Sequence, residues 1–238
     1  MNQQADTLTL EGLSVELAET AQALVKDVAI HLRAGEIFAL VGESGSGKSI
    51  TSLAAMRLLP DALRVGSGRA LMGDTDLFAL PEARMQTVRG RRMAMIFQNP
   101  MSALNPVQTV FRQVAETLRL HTALRGAALR DRVASLLEEV GIPDPRQRMG
   151  FYPHQLSGGQ QQRIMIAMAL ACEPEVLIAD EPTTALDVTI QKQVLELIRE
   201  LARSRRLAVL LITHDMGVVR QTADRVGVMY RGRIIEEA

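Results

Sequence analysis

The chain of 238 residues has no tryptophan, two tyrosines, five phenylalanines and a single cysteine. That one cysteine, Cys172, excludes an intrachain disulfide and any cluster held by several thiolates, and it fits a reducing compartment. Excess charge of either sign is missing as well: 27 Lys and Arg stand against 27 Asp and Glu, a formal net charge of zero. The balance argues against nucleic acid or an anionic membrane surface as the main partner. No apolar run approaches the roughly 20 residues of a membrane-spanning helix, and the start of the chain carries no basic stretch leading into an apolar core. The chain reads as soluble and compatible with attachment to a membrane protein. With 47% hydrophobic residues it can bury a sizeable core, as one α/β domain or one with a smaller insertion.

The most informative stretch is Gly42-Glu43-Ser44-Gly45-Ser46-Gly47-Lys48-Ser49. An apolar run, Ile37 to Val41, leads in, and an amphipathic run from Ile50 to Leu59 leads out before Pro60. Strand, glycine-rich loop and helix are the setting in which G-x-x-x-x-G-K-[ST] means a phosphate site. Gly42, Ser44, Gly45, Ser46 and Gly47 are expected to turn backbone N–H groups toward phosphate oxygens, and the helix start at Ile50 adds its positive end. Lys48 is placed to reach the β- and γ-phosphates and the Ser49 hydroxyl to hold Mg²⁺. A glycine-rich turn without a ligand is the bland alternative, and the flanking elements count against it.

Along the chain, residues 7–33 alternate as short strands. Val28, Ile30 and Leu32 share one face, so His31 reads as a solvent-face residue and not as a ligand. Gly66-Ser67-Gly68 and Met72-Gly73-Asp74 punctuate an expected hairpin. Pro81 to Arg92 reads as helix, with Arg89, Arg91 and Arg92 as its solvated end, and Met93–Phe97 as a buried strand ending at Gln98. From Met101 to Pro153 strand signals vanish. Two helical runs, Val107–Leu120 and Leu129–Val140, form a helical insertion in which His121 is expected to face solvent. The α/β pattern then resumes with a helix near Gly159–Ala171, strand Val176–Ala179, helix Val188–Ala202, strand Leu207–Thr213 and a strand pair around Arg231-Gly232. Met165 and Met168 read as core filling, and Cys172 as a small buried hydrophobe.

Three further features carry chemistry. Val176 to Ala179 is an apolar strand ending in Asp180-Glu181, and open α/β sheets bind ligands at that edge. Asp180 is suited to Mg²⁺, and Glu181 to orienting or deprotonating an attacking water. Leu156-Ser157-Gly158-Gly159-Gln160 opens a helix and makes a second anion cradle; alone it reads as an N-cap after a flexible turn. One γ-phosphate does not need two cradles from one chain, so this one is expected to serve a nucleotide held by another subunit. His214 emerges from a strand end, where an imidazole can bond the γ-phosphate and the water. Gln98 ends another strand and can offer its amide oxygen to Mg²⁺ or water.

Taken in order, Gly42–Ser49, Gln98, Leu156–Gln160, Asp180-Glu181, Ala185-Leu186-Asp187 and His214 resemble the ATPase subunit of ATP-binding-cassette (ABC) transporters. They correspond to that family's Walker A, Q-loop, signature, Walker B, D-loop and H-switch elements, and the resemblance covers essentially the whole chain. Met95-Ile96-Phe97-Gln98-Asn99-Pro100, Ser102-Ala103-Leu104-Asn105-Pro106 and Tyr152-Pro153-His154-Gln155 are similar to the peptide, glutathione and nickel importer group. His154 thereby belongs to the approach to the signature. Two departures stand out. The family usually stacks adenine on an upstream aromatic residue, yet nothing aromatic precedes Phe38, and Val15 and Leu17 occupy the region. The importer group also continues beyond the position of Ala238, as a longer chain or as a protein with two cassettes.

The resemblance implies an α/β P-loop NTPase core, a mostly parallel sheet with flanking helices. An N-terminal antiparallel β subdomain and an inserted helical subdomain complete it. The expected division is residues 1–98 and 154–238 for the core with its β subdomain, and 99–153 for the insertion. It implies ATP and Mg²⁺ as ligands, and ATP hydrolysis that energises an importer for peptides or a related small solute. Transmembrane permease subunits, a second ABC ATPase subunit and, indirectly, an extracytoplasmic solute-binding protein are the implied partners, at the cytoplasmic face of the membrane. A soluble ABC ATPase acting on nucleic acid or ribosomes is the competing reading. Lys48 and Ser157 are too close in sequence for the long coiled coil of DNA-repair versions, and the charged linker of ribosome-associated ones is absent. A nucleotide-binding regulator without turnover is disfavoured by Glu181 and His214.

Overall fold

A computed structural model, describing residues 6–98, 103–184 and 186–238, places the glycine-rich loop at the C-terminal end of an interior strand of a six-stranded sheet. That sheet runs β10-β9-β3-β8-β7-β6. Its members are β3 (Ile37–Val41), β6 (Met93–Ile96), β7 (Val176–Asp180), β8 (Ala208–Thr213), β9 (Arg225–Tyr230) and β10 (Arg233–Glu237). Five strands are mutually parallel and β10 returns antiparallel to β9. Every residue of β3, β7 and β8 is buried, because a parallel sheet is covered on both faces.

One face is covered by a second, antiparallel sheet and by α1 (Lys48–Ala55). The second sheet runs β2-β1-β4-β5, from β1 (Asp6–Leu17), β2 (Ala23–Arg33), β4 (Leu63–Met72) and β5 (Thr75–Asp76). Leu8, Leu13 and Ile30 of this layer bury against Phe38, Leu40 and Ile178 of the main sheet. The short α2 (Glu82–Val88) buries Met85 and Val88 in the same apolar cluster. On the opposite face sit α6 (Gly158–Leu170), α7 (Val188–Ser204) and α8 (Met216–Thr222), with Val219 against Ala39 and Val41.

The insertion consists of α3 (Val110–His121), α4 (Gly126–Glu139) and the single turn α5 (Pro145–Arg148). Val110, Val114, Ala115 and Leu118 make the buried stripe of α3, the spacing of a helix with one apolar face. Thr109 caps its start by accepting the Arg112 N–H. Both α3 and α4 pack on α6, which in turn packs on β6. One helix therefore joins the insertion to the sheet edge that bears Gln98.

Several local expectations are corrected. The helix after the glycine-rich loop ends at Ala55 and not near Leu59, because Arg57 takes a left-handed φ of 53° and the Leu58 N–H closes on Leu53 O. Gly66-Ser67-Gly68 lies inside β4 and not in a turn; the pairing with β1 shifts register there, opposite Gly12. Gly73-Asp74 does form a turn, between β4 and β5. The helix expected to reach Arg92 stops at Val88, and Phe97 is 44% exposed instead of buried in the strand. His121 is half-buried against Gly90 and not solvent-facing; burial, then the nearby Arg91, lowers its pKa. Of the arginines read as a solvated helix end, Arg91 is exposed, but Arg89 is tied down by donating to Met56 O, Arg57 O and Glu82, and Arg92 pairs with Glu175. His31 points away from the core as expected, its Nδ1 2.9 Å from Asp6. Cys172 is half-buried, with Sγ 3.7 Å from Thr117 O. Residues 99–102 and Ala185, named in the importer strings and the D-loop, lie outside the described residues.

Candidate functional site

Parallel register brings four strand ends to one edge. Val41 pairs with Thr213, Asp180 with Ile212 and Ile96 with Ala179, so the glycine-rich loop, Asp180-Glu181, His214 and Gln98 all emerge on the same side.

Packing explains the loop's glycines. A Cβ on Gly42, at φ 155°, would lie 2.1 Å from Met229 O; one on Gly47, at φ 109°, would lie 2.9 Å from Met229 Cε and 3.2 Å from Val25 Cγ2. The loop is pressed between β9 and β2, and the Gly232 N–H ties it down at Ser46 O, 2.9 Å away. Ser44 and Gly45 form its exposed crest. The Ser46 Oγ is buried with no hydrogen-bond partner among the described residues, an orphaned polar group that phosphate oxygen would satisfy. Ile50 packs its side chain into the apolar cluster beneath, in the first turn of α1, where helical N–H groups lack intrahelical partners.

Lys48 is 6% exposed. Its Nζ donates to Gly42 O at 2.8 Å and Glu43 O at 2.9 Å, folded over the loop. Burial lowers the amine's pKa, against the opposing charges of Glu181 and Asp180. Ser49 donates through Oγ to Asp180 Oδ1 at 3.1 Å. Burial raises the Asp180 carboxyl, the Ser49 hydrogen bond works against that, and the Glu181 charge adds to it. Ser49, Asp180 and the Gln98 amide are hard oxygen donors, the set that Mg²⁺ accepts alongside phosphate and water.

Glu181 is the hub. It takes a left-handed φ of 46°, a conformation that non-glycine residues adopt where surroundings enforce it. Its Oε1 lies 3.0 Å from His214 Nδ1, and its Oε2 accepts from Gln98 Nε2 at 2.8 Å and from Thr184 Oγ1 at 2.9 Å. Burial pushes this carboxyl up, but the His214 and Thr184 hydrogen bonds outweigh it and leave the pKa below the ordinary carboxylate value. Thr184 was missed in the sequence; its one signal is a hydroxyl three residues beyond Glu181, in the turn that the Thr184 N–H closes on Glu181 O.

Ser157, Gly159 and Gln160 stand apart from this cluster; among the described residues no hydrogen bond joins them to the glycine-rich loop. Ser157 Oγ accepts the Gln160 N–H, and Gln160 Oε1 accepts the Ser157 N–H, a reciprocal cap on α6. The N-cap reading of this stretch is thus correct as far as it goes, and Ser157 remains exposed. Gly158 faces Leu186, and a Cβ on Gly159 would lie 2.7 Å from Ile190 Cγ2, so the start of α6 rests on the start of α7.

A phosphate-binding loop at the switch edge of a parallel sheet, with a serine–aspartate pair and a glutamate beside it, defines a P-loop ATPase. Residues 25–184 match the ABC transporter family, and the chain belongs to that family as an ATP-hydrolysing domain. It is 55% identical over 233 residues to the dipeptide transport ATP-binding protein DppD of Bacillus subtilis, covering 96% of this chain and 69% of that one. It is 50% identical over 232 residues to the peptidoglycan transport ATP-binding protein YejF of Agrobacterium fabrum, covering 96% of this chain and 42% of that protein. Among solved structures it superposes with a TM-score of 0.84, at 26% identity and 97% coverage of both chains, on the ATP-binding cassette MJ0796, a dimer in a post-hydrolysis state bound to ADP and Pi. The chain thus spans between about two fifths and two thirds of the curated relatives named here.

Proposed function

We propose that this chain energises a membrane importer for peptides or a related small solute, working as one of two cassettes that sandwich two ATP molecules head to tail. The observation that carries the reading is the separation of the two anion cradles. Lys48, Ser49, Gln98, Asp180, Glu181 and His214 gather at one sheet edge, while Ser157 and Gly159 make no hydrogen bond to that cluster among the described residues; within their own subunit they only cap and pack the start of α6. Lys48 compensates the terminal phosphates once their oxygens replace the Gly42 and Glu43 carbonyls. Ser49, Asp180 and Gln98 would hold Mg²⁺, which when bound would supply positive charge against the triphosphate. Glu181 accepts a proton from the attacking water, and His214 contacts the γ-phosphate. Relatives named for dipeptide and peptidoglycan transport support the solute class, and none of this favours a nucleic-acid partner.

The permease is read onto a groove beside Gln98. A cavity of about 300 Å³ lies there, lined by Leu58, Met95, Phe97, Thr117, Met165 and Met168, among others. Its walls come from both the core and the helical insertion, so a segment seated there would sense their relative position. No described helix is long and apolar enough to cross a membrane; in this reading the chain attaches to the permease at the cytoplasmic face, with the solute-binding protein on the other side. Glu181→Gln tests the hydrolytic role. ATP binding is expected to survive while turnover falls by about 10²–10⁴-fold, the range for a positioned acid–base group. Near-normal turnover in a steady-state phosphate-release assay would refute the assignment.

A further inference from the structure

Three groups hold the Glu181 carboxylate, and two of them have other work in the reaction proposed above. Gln98 Nε2 reaches Oε2 from the end of β6, and His214 Nδ1 reaches Oε1 from the end of β8. Both residues are read as turning to the metal and the γ-phosphate when nucleotide is bound. The third, Thr184, belongs to the turn that follows Glu181 itself. Its N–H lies 3.3 Å from Glu181 O, and its Oγ1 donates to Oε2 at 2.9 Å. Such a donor stays within reach whatever the other strands do.

We infer that Thr184 is a positioning residue for hydrolysis: its hydroxyl fixes the rotation of the Glu181 carboxylate so that Oε1 is presented to the attacking water. The left-handed backbone of Glu181, at φ 46°, starts this side chain along an uncommon path, and a free carboxylate there would rotate among several orientations. A hydrogen bond onto an ionised oxygen is stronger than one between neutral groups and constrains direction. With Oε2 anchored, the proton lost by water goes to Oε1. The water oxygen bonds to the γ-phosphorus, the bond from that phosphorus to the β–γ bridging oxygen breaks, and ADP leaves with the electron pair. Thr184 neither gains nor loses a proton in the cycle.

The inference rests on Glu181 being the base, and the test separates the two. Thr184→Val keeps the shape and removes the donor at an exposed position, whereas Thr184→Ser keeps the donor. In the purified full chain, Thr184→Val is expected to lower kcat by about ten- to a hundredfold, the span of one hydrogen bond to a charged group. KM and the calorimetric affinity for ATP should stay within about twofold. Thr184→Ser should recover most of the rate, and adding Thr184→Val to Glu181→Gln should cost little more. A wild-type kcat in Thr184→Val beside an inactive Glu181→Gln overturns the role of Thr184 and leaves the base intact. A loss seen in KM or ATP affinity instead of kcat, or no recovery by serine, overturns it too. Full turnover in Glu181→Gln removes the base and the inference together.

Discussion

The clamp on the phosphate loop sets up a comparison between two glycines three residues apart. Gly45, at φ 79°, has nothing within 4 Å of where a Cβ would stand. Gly45→Ala therefore pays only for the left-handed backbone, about 1–2 kcal/mol. Gly42→Ala meets a carbonyl: its Cβ would be 2.1 Å from Met229 O, with Ser46 Oγ at 2.9 Å. Backbone cannot rotate aside as a side chain does, so β9 and the loop must part, and the Gly232 N–H to Ser46 O bond stretches with them. Overpacking of that kind costs about 1–3 kcal/mol on top of the strain. The expected total for Gly42→Ala is about 2–5 kcal/mol, against about 1–2 for Gly45→Ala. For a chain of this size each kcal/mol lowers the melting temperature by about 2–4 °C. Thermal and urea unfolding of both variants measure the difference, and ATP titration should rank them in the same order. Equal destabilisation, or wild-type ATP affinity in Gly42→Ala, would show that the loop is not pressed against β9.

Two further predictions concern the base and the sheet. Leu17 ends β1 and is half-buried, two residues beyond Val15, which pairs with the Val25 that touches Gly47. With no aromatic platform there, ATP and GTP should compete within about tenfold of each other, and Leu17→Phe should favour ATP by a further few-fold. Strong ATP preference in wild-type competition assays would place the platform elsewhere. Arg92 binds Glu175 with two bonds, of 2.7 and 2.9 Å, where β6 and β7 begin. That hydrogen bond leads the causes that hold the Glu175 carboxyl below its ordinary 4.5. A depressed carboxylate stabilises the fold above its unfolded pKa and loses that contribution as pH falls through the folded one. Both partners are more than a third exposed, so Glu175→Gln should cost only about 0.5 kcal/mol at pH 7. The gap from wild type should close as pH drops below 4.5, and a gap unchanged from pH 7 to pH 3 in urea unfolding would contradict the pairing.

The phosphate loop was legible because its meaning depends on a short contiguous string between an apolar strand and a helix, all of which formed. Asp180, Glu181, Gln98 and His214 were legible for a related reason: each follows an apolar run, and parallel strands bring the ends of such runs together. Element boundaries were less legible. Arg57 stops α1 through one left-handed residue, and Gly66–Gly68, a turn signal by composition, sits opposite Gly12 in an irregular pairing. The short α8 went unread because it is only seven residues long and announced chiefly by its cap, Asp215 accepting from Gly217 and Val218. His121 needed the contact with Gly90, some thirty residues away. Thr184 followed no periodicity at all; only the backbone turn at Glu181 brings its hydroxyl to the carboxylate.

The head-to-tail sandwich is most directly tested by light scattering of the Glu181→Gln chain, with and without ATP and Mg²⁺. In the proposed sandwich Ser157 and Gly159 meet a γ-phosphate across the interface, and two triphosphates buried there would have to be neutralised by Lys48, Mg²⁺ and the N–H groups opening α6. The expected result is a monomer without nucleotide, a dimer with ATP, and no dimer when Ser157→Arg is added although ATP still binds. A monomer under every condition, together with wild-type ATPase activity that rises only linearly with protein concentration, would contradict the sandwich for two copies of this chain.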